Sequence, residues 1–308
     1  MSNLGDPRWG VSAKVKGKVV NIEPGNQKLN SAVGSASIGD TIVLANGTYD
    51  EPYGFDFNVE GLVVMAAEGA TPIVELSDAG GWTTFTLSAT TTFDGIIFDG
   101  KSVCKSMLQT NATDISKLAF YNCEFRNYAK YAISNPDAGG THVDSVIIDN
   151  CLFHDGGGSA VNFNNNGYNG DHACSYFKLT NSSVYNIGSA ANAAITIRAN
   201  GDATGAQNTV IIDHITLYNY ATSEYGGIAI RKTNDLQITN SIIANPSGTL
   251  YAIYHYSEVQ NNLFHNVTLK ESDGAAYNAA CITADPLFVD AANGNFMLKY
   301  ASPAVGAG

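Results

Sequence analysis

One six-residue phrase recurs seven times along the chain, as GIIFDG (95–100), NCEFRN (122–127), NCLFHD (150–155), NSSVYN (181–186), HITLYN (214–219), NSIIAN (240–245) and NNLFHN (261–266). Its first position steps by 27, 28, 31, 33, 26 and 21 residues, and its last position steps identically. The phrase therefore has fixed length, and all variation lies between its copies. Each copy follows a short alternating stretch such as KLAFY, SVIID, YFKLT, TVIID or DLQIT. Period-two alternation of this kind marks a half-buried strand. Within the phrase it predicts an inward column of Phe98, Phe125, Phe153, Val184, Leu217, Ile243 and Phe264, preceded by a column of Ile96, Cys123, Cys151, Ser182, Ile215, Ser241 and Asn262. A second strand type follows in the variable part: YAISN (131–135), SAVNFN (159–164), AAITIR (193–198), GGIAIR (226–231) and YAIYHY (251–256).

Strands at this spacing, with no amphipathic helix between them, do not make βαβ units, and the intervals are too long for simple hairpins. They fit the coils of a solenoid, in which equivalent positions stack roughly 4.8 Å apart. The expected fold is all-β, a single-stranded right-handed parallel β-helix with an Asn ladder. The column Asn122, Asn150, Asn181, Asn240 and Asn261, with His214 substituting once, is expected to point inward, its amides donating to one rung and accepting from the next. Composition agrees: of 308 residues, 31 are Gly and 31 Asn, both poor helix formers and good turn formers. The hydrophobic share of 44% excludes simple disorder. One domain is expected over 1–308, with a cap region at 1–37, coils over 38–284 and a closing segment at 285–308.

The formal net charge of -12 argues against a nucleic-acid partner. No apolar run is long enough to span a bilayer, and MSNLGDPRWG has neither a basic nor an apolar leader region, so an exported protein would have lost its signal. A monomer is expected. Five cysteines without a C-x-x-C pair indicate neither a disulfide framework nor structural zinc, and Cys123 and Cys151 are expected as small buried hydrophobes.

The segment IGDTIVLANGTYDE (38–51) resembles the opening of right-handed parallel β-helix proteins of the pectate-lyase-like superfamily, especially the polysaccharide lyases that include chondroitinase B and alginate lyases. The tail DPLFVDAANGNFMLKYASPAVGAG (285–308) is similar to the terminal segment of secreted bacterial β-helix proteins, notably polysaccharide-utilisation proteins of Bacteroidetes. Neither the NTD, DD and GHG constellation of polygalacturonase-like glycosidases nor the DFIFG of pectin methylesterases is present. The lyases place a Lys on one rung and an Arg, followed by His-Gly, on the next. By that resemblance AAITIRANG and GGIAIRKTN put Arg198 in the Lys place, Arg231 in the Arg place, and Lys232-Thr233 where His-Gly would stand.

Alternation sets Asn164, Arg198, Arg231 and Tyr256 in one outward row, with Asn162, Thr196, Ala229 and Tyr254 beside it. Two arginines on neighbouring rungs repel modestly, whereas their planar forks suit a carboxylate or sulfate. Pairing with carboxylates such as Asp202 or Glu224 would make the same arginines ordinary surface residues. A second outward row, Arg126, His154, Tyr185, Tyr218, Ala244 and His265, offers an extended surface for stacking sugar rings. The Asp- and Asn-rich loops 135–144, 155–159, 164–172 and 199–208 could hold calcium through Asp155, Asp171 and Asp202.

These observations lead to an expected polysaccharide lyase, secreted, periplasmic or on the cell surface, acting by β-elimination on an acidic, uronate-containing polysaccharide. Arg198 and Arg231 would be carboxylate neutraliser and base, Tyr218 or Tyr256 the proton donor, and Asn164, His154, Tyr185, Lys232, Tyr254 and Arg126 substrate contacts. The alternatives are a non-catalytic glycan-binding surface protein and a glycoside hydrolase using carboxylates such as Asp155 and Asp171.

Overall fold

The computed structural model describes residues 17–76, 83–112, 114–136, 141–165, 173–190, 193–199, 208–221, 226–231, 235–246, 252–254, 259–268 and 280–307. Their strands lie in three long parallel sheets of ten, eleven and eight strands, and the middle coils contribute one strand to each sheet in turn. The protein is a right-handed parallel β-helix. The alternating stretches form the first sheet, the recurring phrase the second, and the second strand type the third.

Parallel pairing without register slips carries the inward columns through the molecule. In the first sheet Ile42, Val64, Phe93, Phe120, Ile148, Leu179, Ile212, Ile238 and Val259 are successive partners. In the second, the predicted Phe98-to-Phe264 column extends back to Val74 and Tyr49. In the third, Phe55, Phe85, Leu108, Ile133, Val161, Ile195, Ile228 and Ile253 align. All of these side chains are buried in one continuous core. Like stacks on like: Phe98 lies 5.1 Å from Phe125, and Phe125 lies 4.7 Å from Phe153, with nearly parallel rings.

The asparagine column has a different cause from the expected one. Asn122, Asn150, Asn181, His214, Asn240 and Asn261 occupy the corner between first and second sheets with φ between 51° and 54°, a left-handed conformation that Asn tolerates better than most residues. This geometry turns their side chains outward. Asn150 Nδ2 donates to Asn122 Oδ1 at 2.7 Å, and Asn122 Nδ2 to Asp94 Oδ1 at 2.7 Å, so the stack exists but on the surface. The inner ladder belongs to the next position. Ser182 Oγ accepts from the Cys151 amide (3.0 Å) and donates to Thr180 O (2.6 Å), and Ser241 and Asn262 repeat the pattern. Cys123 and Cys151 fill two rungs of that buried column. A second left-handed corner, between second and third sheets, takes Asn127, Asp155, Asn186, Asn219 and Asn266.

The first coil is covered by a helix, and the tail folds back onto the coils. The helix Lys28–Gly34 stands where the first coil would place its third-sheet strand and buries Leu29 and Val33 against the core. Its first-turn amides of Leu29 and Asn30 donate to the buried Glu51 carboxylate at 2.7 and 3.0 Å, which supplies the acceptor that a capping side chain would otherwise provide. The strand Val19–Ile22 pairs with Thr41–Leu44, so the stretch before residue 38 contributes a rung as well as this helical cover. At the other end, Phe288–Asp290 and Asn295–Leu298 form an antiparallel hairpin joined by a 3-10 turn, and the hairpin lies across the outer face of the second sheet. Gly294 is required there twice over. Its φ is 75°, and a Cβ would stand 2.7 Å from the Tyr185 hydroxyl.

Phe125→Ala, which empties the middle of a stacked column, is expected to lower the unfolding free energy by about 3–5 kcal/mol in urea titrations. Gly294→Ala is expected to cost about 1–2 kcal/mol from the left-handed backbone alone and to make residues 288–298 exchange amide protons faster, with the coils unchanged.

Candidate functional site

The third sheet is where the predicted arginine row forms. Asn164 is the register partner of Arg198, and Arg198 that of Arg231, on adjacent strands Val161–Asn165, Ile195–Ala199 and Ile228–Arg231. Ile195 and Ile197 face the core, so alternation turns Arg198 outward, and it is half-buried. Asn164 is 8% exposed and its backbone is clamped from the previous rung: Asn135 Oδ1 accepts from its N–H at 2.7 Å, and Asn135 Nδ2 donates to its carbonyl at 3.2 Å. Tyr254 lies beside Ala229 in register. Tyr256, Lys232, Asp171 and Asp202 lie outside the described residues, as does Glu224.

Two positions before the arginine row runs a second outward row that sequence reasoning named only in part. Ser134, Asn162 and Thr196 are consecutive register partners and are 0%, 4% and 0% exposed. Ser134 Oγ, Asn162 Nδ2 and Thr196 Oγ1 are buried without a hydrogen-bond partner. An unsatisfied buried polar group costs about 1–3 kcal/mol, and three on neighbouring rungs of one face are more than folding alone explains. The sequence signal for this row was the polar residue at alternate positions of YAISN, SAVNFN and AAITIR.

The second outward row does not form the open sugar-stacking surface that alternation suggested. Arg126, His154, Tyr185 and Tyr218 are indeed register partners. Arg126, however, is tied to Asp99 (2.8 Å) and Glu124 (2.9 Å), and His154 is held by Asp155 through Nδ1 (2.8 Å) and Glu124 through Nε2 (3.2 Å). Tyr185 stacks on His154 at 5.1 Å and meets the edge of Phe296, while Tyr218 is packed against Phe288 and Phe296. The tail hairpin thus covers both tyrosines. Tyr218 also belongs to a different sheet from Arg198, which removes it as a proton donor to the arginine row. The Phe residues of the tail carried no signal that they would fold back across the coils.

Asp155, the one described candidate for calcium, has its two oxygens engaged, Oδ2 by His154 and Oδ1 by Asn186 at 3.0 Å. Among the described residues no group of three or more His, Cys, Asp or Glu is placed to hold a metal ion. Burial of His154 by itself would lower its pKa, but its hydrogen bonds to Glu124 and Asp155 outweigh it and raise the value. The same bond from His154 lowers Glu124, and bonds from His154 and Asn186 overcome partial burial to lower Asp155.

These directions fix the pH dependence. The raised imidazole contributes stability fully below its unfolded value near 6.5 and loses it as pH rises through the folded value, whereas the carboxylates lose theirs only as pH falls through their depressed values. The network is therefore strongest at roughly pH 5 to 6.5. The melting-temperature difference between the protein and His154→Gln is expected to be largest in that window and to shrink by pH 8–9; a pH-independent difference would contradict the charged pairing.

Against known proteins, residues 210–308 match the model of a domain of unknown function, DUF5123, which takes in the last coils and the tail hairpin. No curated protein matches the chain. Among solved structures the chain is similar to the PL6 family alginate lyase AlyGC, at 15% identity and a TM-score of 0.59 over 87% of this chain and 39% of that one. An arginine-to-alanine variant of the same enzyme matches at 17% identity and a TM-score of 0.59, over 87% and 40%. The chain spans about two fifths of the length of these structures. At this identity the likeness is one of fold: a parallel β-helix of the kind on which a polysaccharide lyase is built.

Proposed function

We propose that the protein is a polysaccharide lyase that cleaves an acidic, uronate-containing glycan by β-elimination at the outer face of the third sheet. The observation that carries the reading is the pairing of Arg198 with Arg231 on adjacent rungs, with Asn164 next in line. Two arginines in register on neighbouring rungs bring to one face the residue type whose planar fork matches a carboxylate. In β-elimination one guanidinium neutralises the uronate carboxylate and so acidifies the C5 proton. A base then removes that proton while the C4–O4 bond breaks and the departing oxygen takes up a proton. Arg198 and Arg231 supply the neutraliser and the base, and Tyr256 is the candidate donor. An arginine base requires a site that depresses its pKa far from about 12.5.

Tyr254 and Lys232 are further candidate substrate contacts. With such a substrate the proposed location is outside the cytoplasm: periplasmic, at the cell surface or secreted. With Asp155 engaged elsewhere, the described residues do not make a calcium site, and no step is assigned to calcium.

Incubation with alginate, pectate and glycosaminoglycans, with and without chelator, is expected to give rising ultraviolet absorbance from the unsaturated product on at least one polymer. Arg198→Ala and Arg231→Ala should each lower that rate by about 10²-fold or more while the melting temperature holds. Reducing ends without absorbance would indicate a hydrolase, and wild-type turnover in either variant would remove that arginine from the mechanism.

A further inference from the structure

The outer face of the first sheet carries a groove of about 760 Å³ that the lyase reading does not use. Its floor is the central outward column, in which Ile147, Lys178, Ile211 and Gln237 are successive register partners. Tyr176 borders one side and Tyr121 one end. The other side is a row of Asp149, Thr180, Asp213 and Thr239, again in register.

That row repeats one hydrogen-bonding unit two rungs apart. Asp149 Oδ1 accepts from Thr180 Oγ1 at 2.6 Å and from Asn181 Nδ2 at 2.8 Å. Asp213 Oδ1 accepts from Thr239 Oγ1 at 2.6 Å and from Asn240 Nδ2 at 2.8 Å. The bond from Thr180 holds Asp149 below the usual carboxylate range, and bonds from Thr239, His214 and Asn240 overcome partial burial to do the same for Asp213. Both carboxylates are thus fixed acceptors, oriented by their neighbours and facing the groove.

We propose that this groove is a second glycan-binding surface, separate from the third-sheet face and selective for a neutral polysaccharide lying along the solenoid axis. Two carboxylates against the single Lys178 give the groove a net negative charge, which disfavours a polyuronate and suits sugar hydroxyls as donors. Ile147 and Ile211 in the floor and the Tyr176 ring suit the C–H faces of pyranose rings, while Lys178 and Gln237, alternating with the isoleucines, supply hydrogen-bonding groups. Two rungs span roughly 9.6 Å, close to the length of two sugar residues in an extended chain. One hydroxyl per disaccharide can therefore meet a carboxylate at Asp149 and again at Asp213, whose Oδ2 also lies 2.7 Å from His214 Nδ1.

The test is native affinity electrophoresis through gels containing galactomannan, hydroxyethylcellulose or xylan, with circular dichroism melts as the check on folding. At least one of these neutral polymers is expected to retard the protein, with Tyr176→Ala weakening the interaction about tenfold and Gln237→Ala, which changes only one groove side chain, weakening it measurably. Absence of retardation by all three polymers overturns the proposal, as does retardation that both variants leave at wild-type strength.

Discussion

The parallel backbone ladder is the constraint on which everything else in this molecule depends. Each strand hydrogen-bonds to the strand one coil earlier and one coil later, so a residue's neighbours are set by its place in the coil rather than by its place in the chain. Three consequences follow from a single register. Identical positions stack, which lets Phe98, Phe125 and Phe153 build a continuous aromatic column. The corners must turn through left-handed residues, which brings asparagine to the same place on coil after coil. Outward side chains line up in rows, which turns single surface residues into extended chemical surfaces.

The three outer faces are used differently. The second sheet is closed by the tail hairpin and by the ion-paired cluster of Asp99, Glu124, Arg126, His154 and Asp155, so its aromatic row stabilises the solenoid rather than meeting solvent. The third sheet carries the arginine row and, two positions before it, the buried polar row of Ser134, Asn162 and Thr196. The first sheet presents an open groove with oriented carboxylates. A chain with only 16 Lys and Arg residues has placed two of them side by side on the third sheet, and the same scarcity makes the first-sheet groove acidic.

Much of the architecture was legible in the sequence because a β-helix writes its register as a repeat. The phrase containing Phe153 and the phrase containing Phe264 announce the same position, and the structure aligns them. The Arg198 and Arg231 pair was legible for the same reason: alternation within AAITIR and GGIAIR is enough to count positions. What failed was facing at the corners. A repeated asparagine can mark an inward amide stack or a left-handed turn, and periodicity does not distinguish them; here the backbone requirement won, and Ser182, Ser241 and Asn262 took the inner ladder. The fate of Tyr185 and Tyr218 was hidden because Phe288 and Phe296 lie far along the chain and outside the repeat. The burial of Ser134 and Thr196 was hidden too, since small polar residues on an outward row look like ordinary solvent-facing positions.

The central claim, that the third-sheet face is where an acidic glycan is bound and cleaved, is tested most directly by mapping a bound oligouronate on the protein by NMR. The account predicts that amide and guanidinium signals of Asn164, Arg198 and Arg231 shift together and saturate at one affinity, with the tail-covered Tyr185 and Tyr218 unaffected. Saturating shifts centred on the second sheet, with the arginine row silent, would contradict it.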